Sequence, residues 1–230
     1  GDVDGPAGGR CLTDSVSAMP QVFDADDFRK RAREHNPDHA FGPEPAHLGH
    51  GDHVLNPGLV SELTGVPLRE AAVLVPVIDA GPDAQVILTR RAAAMRKHSG
   101  QVAFPGGAVD PEDGSVEIAA MREAEEEIGL DRRFVEPVGR LPVYMTTTGF
   151  RITPVLAVVH PGFTLTANPD EVDAVFQTPL AFLMTQANHK RESRVWEGIE
   201  RHYYVMPYGE HHIWGVTAGI IRTMYERLYA

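Results

Sequence analysis

The chain of 230 residues has a single cysteine, Cys11, so it can form neither an intrachain disulfide nor a CxxC zinc or redox centre. It has no apolar run near the ~18–20 residues that a membrane span requires. The best run, residues 71–78, is short and contains Pro76. No signal-peptide pattern opens it, and a cytoplasmic location without a membrane partner is expected. A basic surplus is missing too: 21 lysines and arginines stand against 32 aspartates and glutamates, a net charge of −11. That balance argues against a nucleic-acid partner, which calls for a cationic face. What the chain does have is a hydrophobic content of 43%, enough apolar material for a core and too much for wholesale disorder.

The organisation changes along the chain. Residues 1–22, rich in Gly and Asp, read as a tail. Residues 23–60 hold a charged helix over 24–34, N-capped by Asp24 or Asp26, and then a His/Pro/Gly-rich arm without periodicity. Residues 61–230 read as the domain. The β-branched runs 71–79 and 85–89 flank an Ala80-Gly81-Pro82-Asp83 turn, and a Gly/Pro loop over 99–114 leads into a helix over 115–128 that Gly129 stops. Further strands are predicted at 135–146, 151–160, 192–197 and 200–207, with a short helix at 179–184. Apolar residues at helical spacing, including Trp214, Ala218, Ile221 and Met224, predict a last helix over 212–229 with Trp214 in the core. Strands around two long helices give an α/β (α+β) fold, an αβα sandwich on a mixed sheet.

The acidic surplus is local. Residues 110–127 hold eight acids against Arg122 alone, while residues 90–109 hold Arg90, Arg91, Arg96 and Lys97 and no acid. At ~100° per residue, Glu123, Glu126 and Glu127 fall on one arc of the helix, next to an arc of Ala120, Ala124 and Ile128 that can face a core. Such crowding is unfavourable without a cation. Mg2+ or Mn2+ suits it, being a hard ion that takes oxygen ligands and keeps sites for a phosphate. Glu123 and Glu127, at i and i+4, can reach one ion; Glu126 either joins a second ion or is held by Arg122. A merely solvated acidic face is the alternative, and the Gly106-Gly107 turn upstream together with the small alanines decides for the metal. The histidines of His47-Leu48-Gly49-His50-Gly51-Asp52-His53 imitate a metal site but lie in a Gly-rich arm, and are read as not forming one.

Residues 107–130 resemble the box of the Nudix hydrolases, whose last part stands here as Arg122-Glu123-Ala124-Glu125-Glu126-Glu127-Ile128-Gly129-Leu130. The general pattern places Gly at 108 and Glu at 114, where this chain has Ala108 and Gly114; Gly107 and Asp113 are the nearest equivalents. The loop Pro105-Gly106-Gly107-Ala108-Val109-Asp110-Pro111-Glu112-Asp113 and the preceding Leu88-Thr89-Arg90-Arg91-Ala92, Arg96 and Gly100-Gln101-Val102-Ala103-Phe104 are similar to the coenzyme A pyrophosphatase branch. The likeness spans about residues 71–229. It implies the Nudix fold and water attack on the diphosphate of coenzyme A or an acyl-coenzyme A, giving adenosine 3′,5′-bisphosphate and the 4′-phosphopantetheine half. It implies Mg2+ or Mn2+ held by Glu123, Glu127, Glu126 and the Gly107 carbonyl, with Arg122 orienting the glutamates. The base is a box glutamate such as Glu126 or a distant acid, for which Glu171 is the candidate. Arg91 and Arg96 match the branch as phosphate-binding residues, Gly106 lies where substrate would pass, and Phe104 either packs on substrate or belongs to the core. ADP-ribose or another nucleoside diphosphate derivative, and a non-catalytic nucleotide-binding regulator, are the competing readings. A homodimer is left open.

Overall fold

The computed structural model describes residues 21–35, 50–59, 67–93 and 100–230. Cys11, His47, Arg96 and Lys97, and with them most of the tail and arm, lie outside the described residues. The fold is organised on strand β2 (Arg69–Ile78), whose near-continuous apolar run is buried on both sides. It pairs in parallel with β8 (Phe150–Val159) over its full length, from Arg69 opposite Phe150 to Ile78 opposite Val159. The Ala80–Asp83 turn returns the chain into the antiparallel β3 (Gln85–Arg91), and β9 (Val172–Pro179) and the short β4 (Val102–Ala103) pair with β3. Strand β5 (Gly106–Ala108) pairs with β2, while β6 (Val135–Arg140) and β7 (Tyr144–Met145) pair with β8, and β1 (His50–Gly51) with β7. Among the described residues this is one mixed sheet of nine strands.

Alternation along the strands builds the two cores. Ala72, Leu74 and Ile78 face helix α2 (Val116–Ile128), which buries Ala119, Ala120, Ala124 and Ile128 against them. Val75 and Val77 point the other way, into a cluster with helix α1 (Ala25–His35) and helix α4 (Gly215–Leu228). Two faces covered by helices make the expected αβα sandwich. Helix α1 sits in the segment set apart from the domain by composition, yet its Ala25, Phe28 and Ala32 are buried in that second cluster. Only three small or aromatic positions form its apolar stripe, which its flanking charges obscure.

Three strand and helix boundaries differ from expectation. The strand over 135–146 divides after Arg140, before Pro142, which has no N–H to give a ladder. No strand is expected where β9 lies, because residues 172–179 lack a clean apolar/polar alternation. The predicted helix 212–229 begins at Gly215, whose φ of +63° marks the break; residues 211–214 form β12 instead. A second sheet joins β10 (Lys190–Trp196), β11 (Ile199–Tyr208) and β12 (His211–Trp214), with the short helix α3 (Leu180–Leu183) leading to it.

The 50–59 segment ties this second sheet to the first. Tyr144 Oη donates to Asp52 Oδ1 at 2.9 Å and the Thr147 amide to Asp52 Oδ2 at 3.1 Å. Asn56 then treats strand β11 as a sheet neighbour would: its Nδ2 donates to the His202 carbonyl at 2.9 Å, and its Oδ1 accepts the His202 amide at 2.7 Å. Asn56→Ala is therefore expected to loosen the hairpin without unfolding the domain. Two hydrogen bonds of about 1 kcal/mol each predict exchange of the His202 amide faster by about tenfold or more. Unchanged protection at His202 would show that the hairpin is held by packing alone.

Candidate active site

The loop after β4 is where strand, glycines and acidic helix meet. Gly106 lies opposite Val73 and Gly107 opposite Ala72 in the β5–β2 ladder. A Cβ on Gly106 would stand 2.4 Å from the Ala72 carbonyl oxygen, and one on Gly107 2.6 Å from the Glu123 carboxylate. Glycine at 106 lets β5 close on β2, and glycine at 107 lets the carboxylate face of α2 press directly on β5. The helix itself is fixed at both ends. The Ser115 hydroxyl accepts the Ile118 amide at 3.3 Å, and Gly129 closes the C-terminus at φ +65°.

Glu127 is only 4% exposed. The Gly106 amide donates to its Oε2 at 3.2 Å and Arg91 Nη1 lies 3.9 Å from its Oε1. Burial pushes its carboxyl up to about 7; those two partners oppose the shift, and the Glu123 and Glu171 charges add to it. Burial likewise raises Glu123, with Arg122 opposing and Glu126 and Glu171 adding. Glu171 comes from the loop before β9, which is laced to the end of α2: the Thr166 amide donates to the Ile128 carbonyl and the Asn168 amide to the Glu127 carbonyl, both at 2.8 Å. The Ala92 amide donates to the Glu171 carbonyl at 2.9 Å, which brings this loop to the end of β3 beside Arg91. Glu123, Glu127, Glu171 and Arg91 thus line one cleft of about 690 Å³.

Arg122 is the hub of the opposite side of the helix. Its Nε and Nη2 grip the buried Asp113 in a fork, at 2.8 and 2.9 Å. Its Nη1 reaches Glu123 at 2.8 Å and Glu126 at 3.3 Å, and its Nη2 also reaches the Ala108 carbonyl at 3.1 Å. This fork, with the Asp110 amide at 2.8 Å, holds the Asp113 carboxyl down to about 2. Asp113, one residue before the acidic position of the box pattern, is thus the buried acid that Arg122 holds.

The remaining expected residues divide. Gly107 touches the cleft, and Gly106 does too, although its amide is engaged by Glu127. Phe104 is a core residue whose edge reaches the cleft floor. Glu126 does not line the cleft: its side chain is 56% exposed and lies against Arg122. Trp214, expected in the core, is half-buried and lines the cleft. Arg69, Arg194, Arg201 and Trp196 line it as well, and no motif marked them.

A family model described as the NUDIX domain matches residues 68–198. An uncharacterized Nudix hydrolase, NudL, of Cronobacter sakazakii is 45% identical over 164 residues, covering 68% of this chain and 81% of the relative. Its namesake in Klebsiella pneumoniae is 43% identical over the same length, with the same coverage. The chain belongs to the Nudix family. Among solved structures, the NUDIX domain of Shewanella oneidensis NrtR complexed with ADP ribose aligns over 72% of this chain and 91% of its own, with 17% identity and a TM-score of 0.46, too weak a likeness to argue from.

Nudix hydrolases generally use divalent metal ions, and the donor set of this cleft fits one. Glu123, Glu127 and Glu171 are hard oxygen donors; the Glu171 charge raises Glu123 and Glu127, and the Glu123 charge raises Glu127, a repulsion that a cation relieves. Among the described residues no three or more His, Cys, Asp or Glu already stand at metal-holding spacing. None of the described helices is long and apolar enough to cross a membrane.

Proposed function

We propose that the chain hydrolyses the diphosphate of coenzyme A or an acyl-coenzyme A, releasing adenosine 3′,5′-bisphosphate and the 4′-phosphopantetheine half. The observation that carries this reading is the meeting of Glu123, Glu127 and Glu171 with Arg91, the arginine of the coenzyme A-type motif, in one cleft. Beyond the acids the cleft is largely apolar, with Phe150, Ile152, Val216 and Ile220 along it, which suits an extended pantetheine or acyl chain.

In this reading Glu123, Glu127 and the Gly107 carbonyl would hold Mg2+ or Mn2+, while Glu126 stays the partner of Arg122. When bound, the metal would supply charge neutralisation to the diphosphate. Arg91 adds a cation for a non-bridging phosphate oxygen and keeps Glu127 oriented. Glu171 accepts the proton of the attacking water, from a loop that its hydrogen bonds to α2 and β3 hold over Glu127. Arg122 keeps Glu123 aimed at the cleft.

Incubation with coenzyme A or ADP-ribose and either metal, followed by chromatography, tests the reading. Adenosine 3′,5′-bisphosphate is the expected product. Cleavage of ADP-ribose alone would move the assignment to the nucleoside diphosphate derivatives. Cleavage of neither with any divalent ion would leave a nucleotide-binding regulator.

Gly107→Ala tests the close approach independently. Its methyl group would displace the Glu123 carboxylate, which now lies 2.6 Å from that point. Coenzyme A turnover should fall by about tenfold or more, with more Mn2+ needed for half-maximal rate. Wild-type metal dependence would separate Glu123 from the metal.

A further inference from the structure

We infer that the β10–β11 hairpin carries a second anion subsite, the arginine pair Arg194 and Arg201, which takes a phosphate monoester on the nucleoside half of the substrate. The inference rests on the proposed hydrolysis of a nucleotide diphosphate in this cleft and names what distinguishes its substrate.

The β10–β11 register sets Arg194 directly opposite Arg201. Directly opposed side chains share a face, and like charges in that position cost stability. Both arginines turn to the cleft. The next pair on that face toward the tip is Trp196 with Ile199, and the next toward the base is Glu192 with Tyr203. Glu192 is the one acid on this strip, diagonal to the pair; Glu200 is on the other face, where the Ser193 hydroxyl donates to it at 2.6 Å. Two cations thus stand side by side on one wall of the cleft.

The neighbours of the pair identify the ligand. Tyr203 meets Trp214 edge to face, with ring centroids 5.3 Å apart, and both line the cleft. Trp196 also lines it and is 55% exposed, an open aromatic face on the other side of the arginines. Arginines between aromatic faces match a nucleoside that carries its own phosphate: the rings stack on the base and the guanidiniums fork the phosphate oxygens. Arg91 is not available for this phosphate. It sits 3.9 Å from Glu127, where the proposed function places the diphosphate. The hairpin is a separate element, and Asn56 holds its β11 strand to the domain.

Calorimetry with adenosine 3′,5′-bisphosphate and with AMP reads the subsite without any turnover. Wild type should bind the bisphosphate about tenfold or more tighter, as one additional charge-assisted contact provides. In Arg194→Ala, a change at an exposed side chain, and in the double variant with Arg201→Ala, that preference should shrink to within about twofold. In parallel, the ratio of kcat/KM for coenzyme A to that for its 3′-dephospho form should fall about tenfold, through KM. A wild type that binds the two nucleotides alike, or variants that lose both equally, would overturn the subsite. Loss of the preference in a protein that cuts neither substrate would keep the subsite and discard the hydrolase reading.

Discussion

Glu127→Gln is expected to lower coenzyme A turnover by about three orders of magnitude while making the metal-free protein more stable at pH 8. The two effects share one cause. Glu127 is 4% exposed, and its carboxyl is raised from the ordinary 4.5 to about 7, first by burial. Between those values the folded protein keeps a proton that the unfolded chain has released. Stability associated with this group is therefore complete below pH 4.5 and declines as pH rises through about 7. At pH 8 the full penalty applies, at most about 3 kcal/mol for a shift of this size. Glutamine removes the charge and still accepts the Gly106 amide. In EDTA at pH 8 the variant should melt several degrees higher than wild type, at ~2–4 °C per kcal/mol for a chain of this length. Below pH 4.5 the difference should vanish. Mn2+ should raise the wild-type Tm and leave the variant's almost unchanged. A variant with normal turnover, or one with the wild-type Mn2+ shift, would remove Glu127 from the metal site.

Why so much of this site shows in the sequence, and some of it not, follows from how each residue is placed. Glu123 and Glu127 are one helical turn apart, so periodicity alone puts them on a common face, and Ala124 and Ile128 beside them are buried as that same period requires. Asp113 obeys no period. It lies in a one-turn 3-10 segment over Pro111–Asp113, where it accepts the Asp110 amide, and only that turn shows it aimed at Arg122. Glu126 shares the acidic arc of the helix but turns to Arg122, because the nearest cation is on its own helix, four residues away. The hairpin arginines were illegible for another reason. Positions 194 and 201 oppose each other only once the chain reverses at Glu197-Gly198, both of which have φ in the left-handed range, at +50° and +79°. Neither residue belongs to a motif. Their proximity to the acids depends on how a second sheet docks beside the first, through side chains such as Asn56 and Asp52 in a segment whose composition reads as arm.

Arg122→Ala is the other substitution with a large expected effect, on fold and activity together. One guanidinium binds Asp113 twice, reaches Glu123, Glu126 and the Ala108 carbonyl, and so fastens the glycine loop to the acidic helix. Its loss leaves the buried Asp113 carboxylate facing Glu123 and Glu126 with no cation between them, and Tm at neutral pH should drop. Because Arg122 holds the Asp113 carboxyl down to about 2, the contribution of the pair is present above the ordinary 3.8 and is lost as pH falls through about 2. The gap between wild type and variant in urea midpoint should therefore be wide at pH 7 and should close toward pH 2. Arg122 is a positioning residue, so its effect on chemistry should pass through Glu123: kcat about 100-fold lower and a higher Mn2+ requirement, the cost of a carboxylate misplaced by about 1 Å. Arg122→Lys separates charge from shape. A lysine keeps the charge but cannot hold Asp113 in a fork and reach Glu123 at the same time, so it should restore part of the stability and little of the turnover. Asp113→Asn should reproduce the stability loss with a smaller loss of turnover, since Glu123 keeps its arginine. Full rescue by lysine would reduce Arg122 to a point charge, and an Asp113→Asn protein as stable as wild type would detach the fork from the fold.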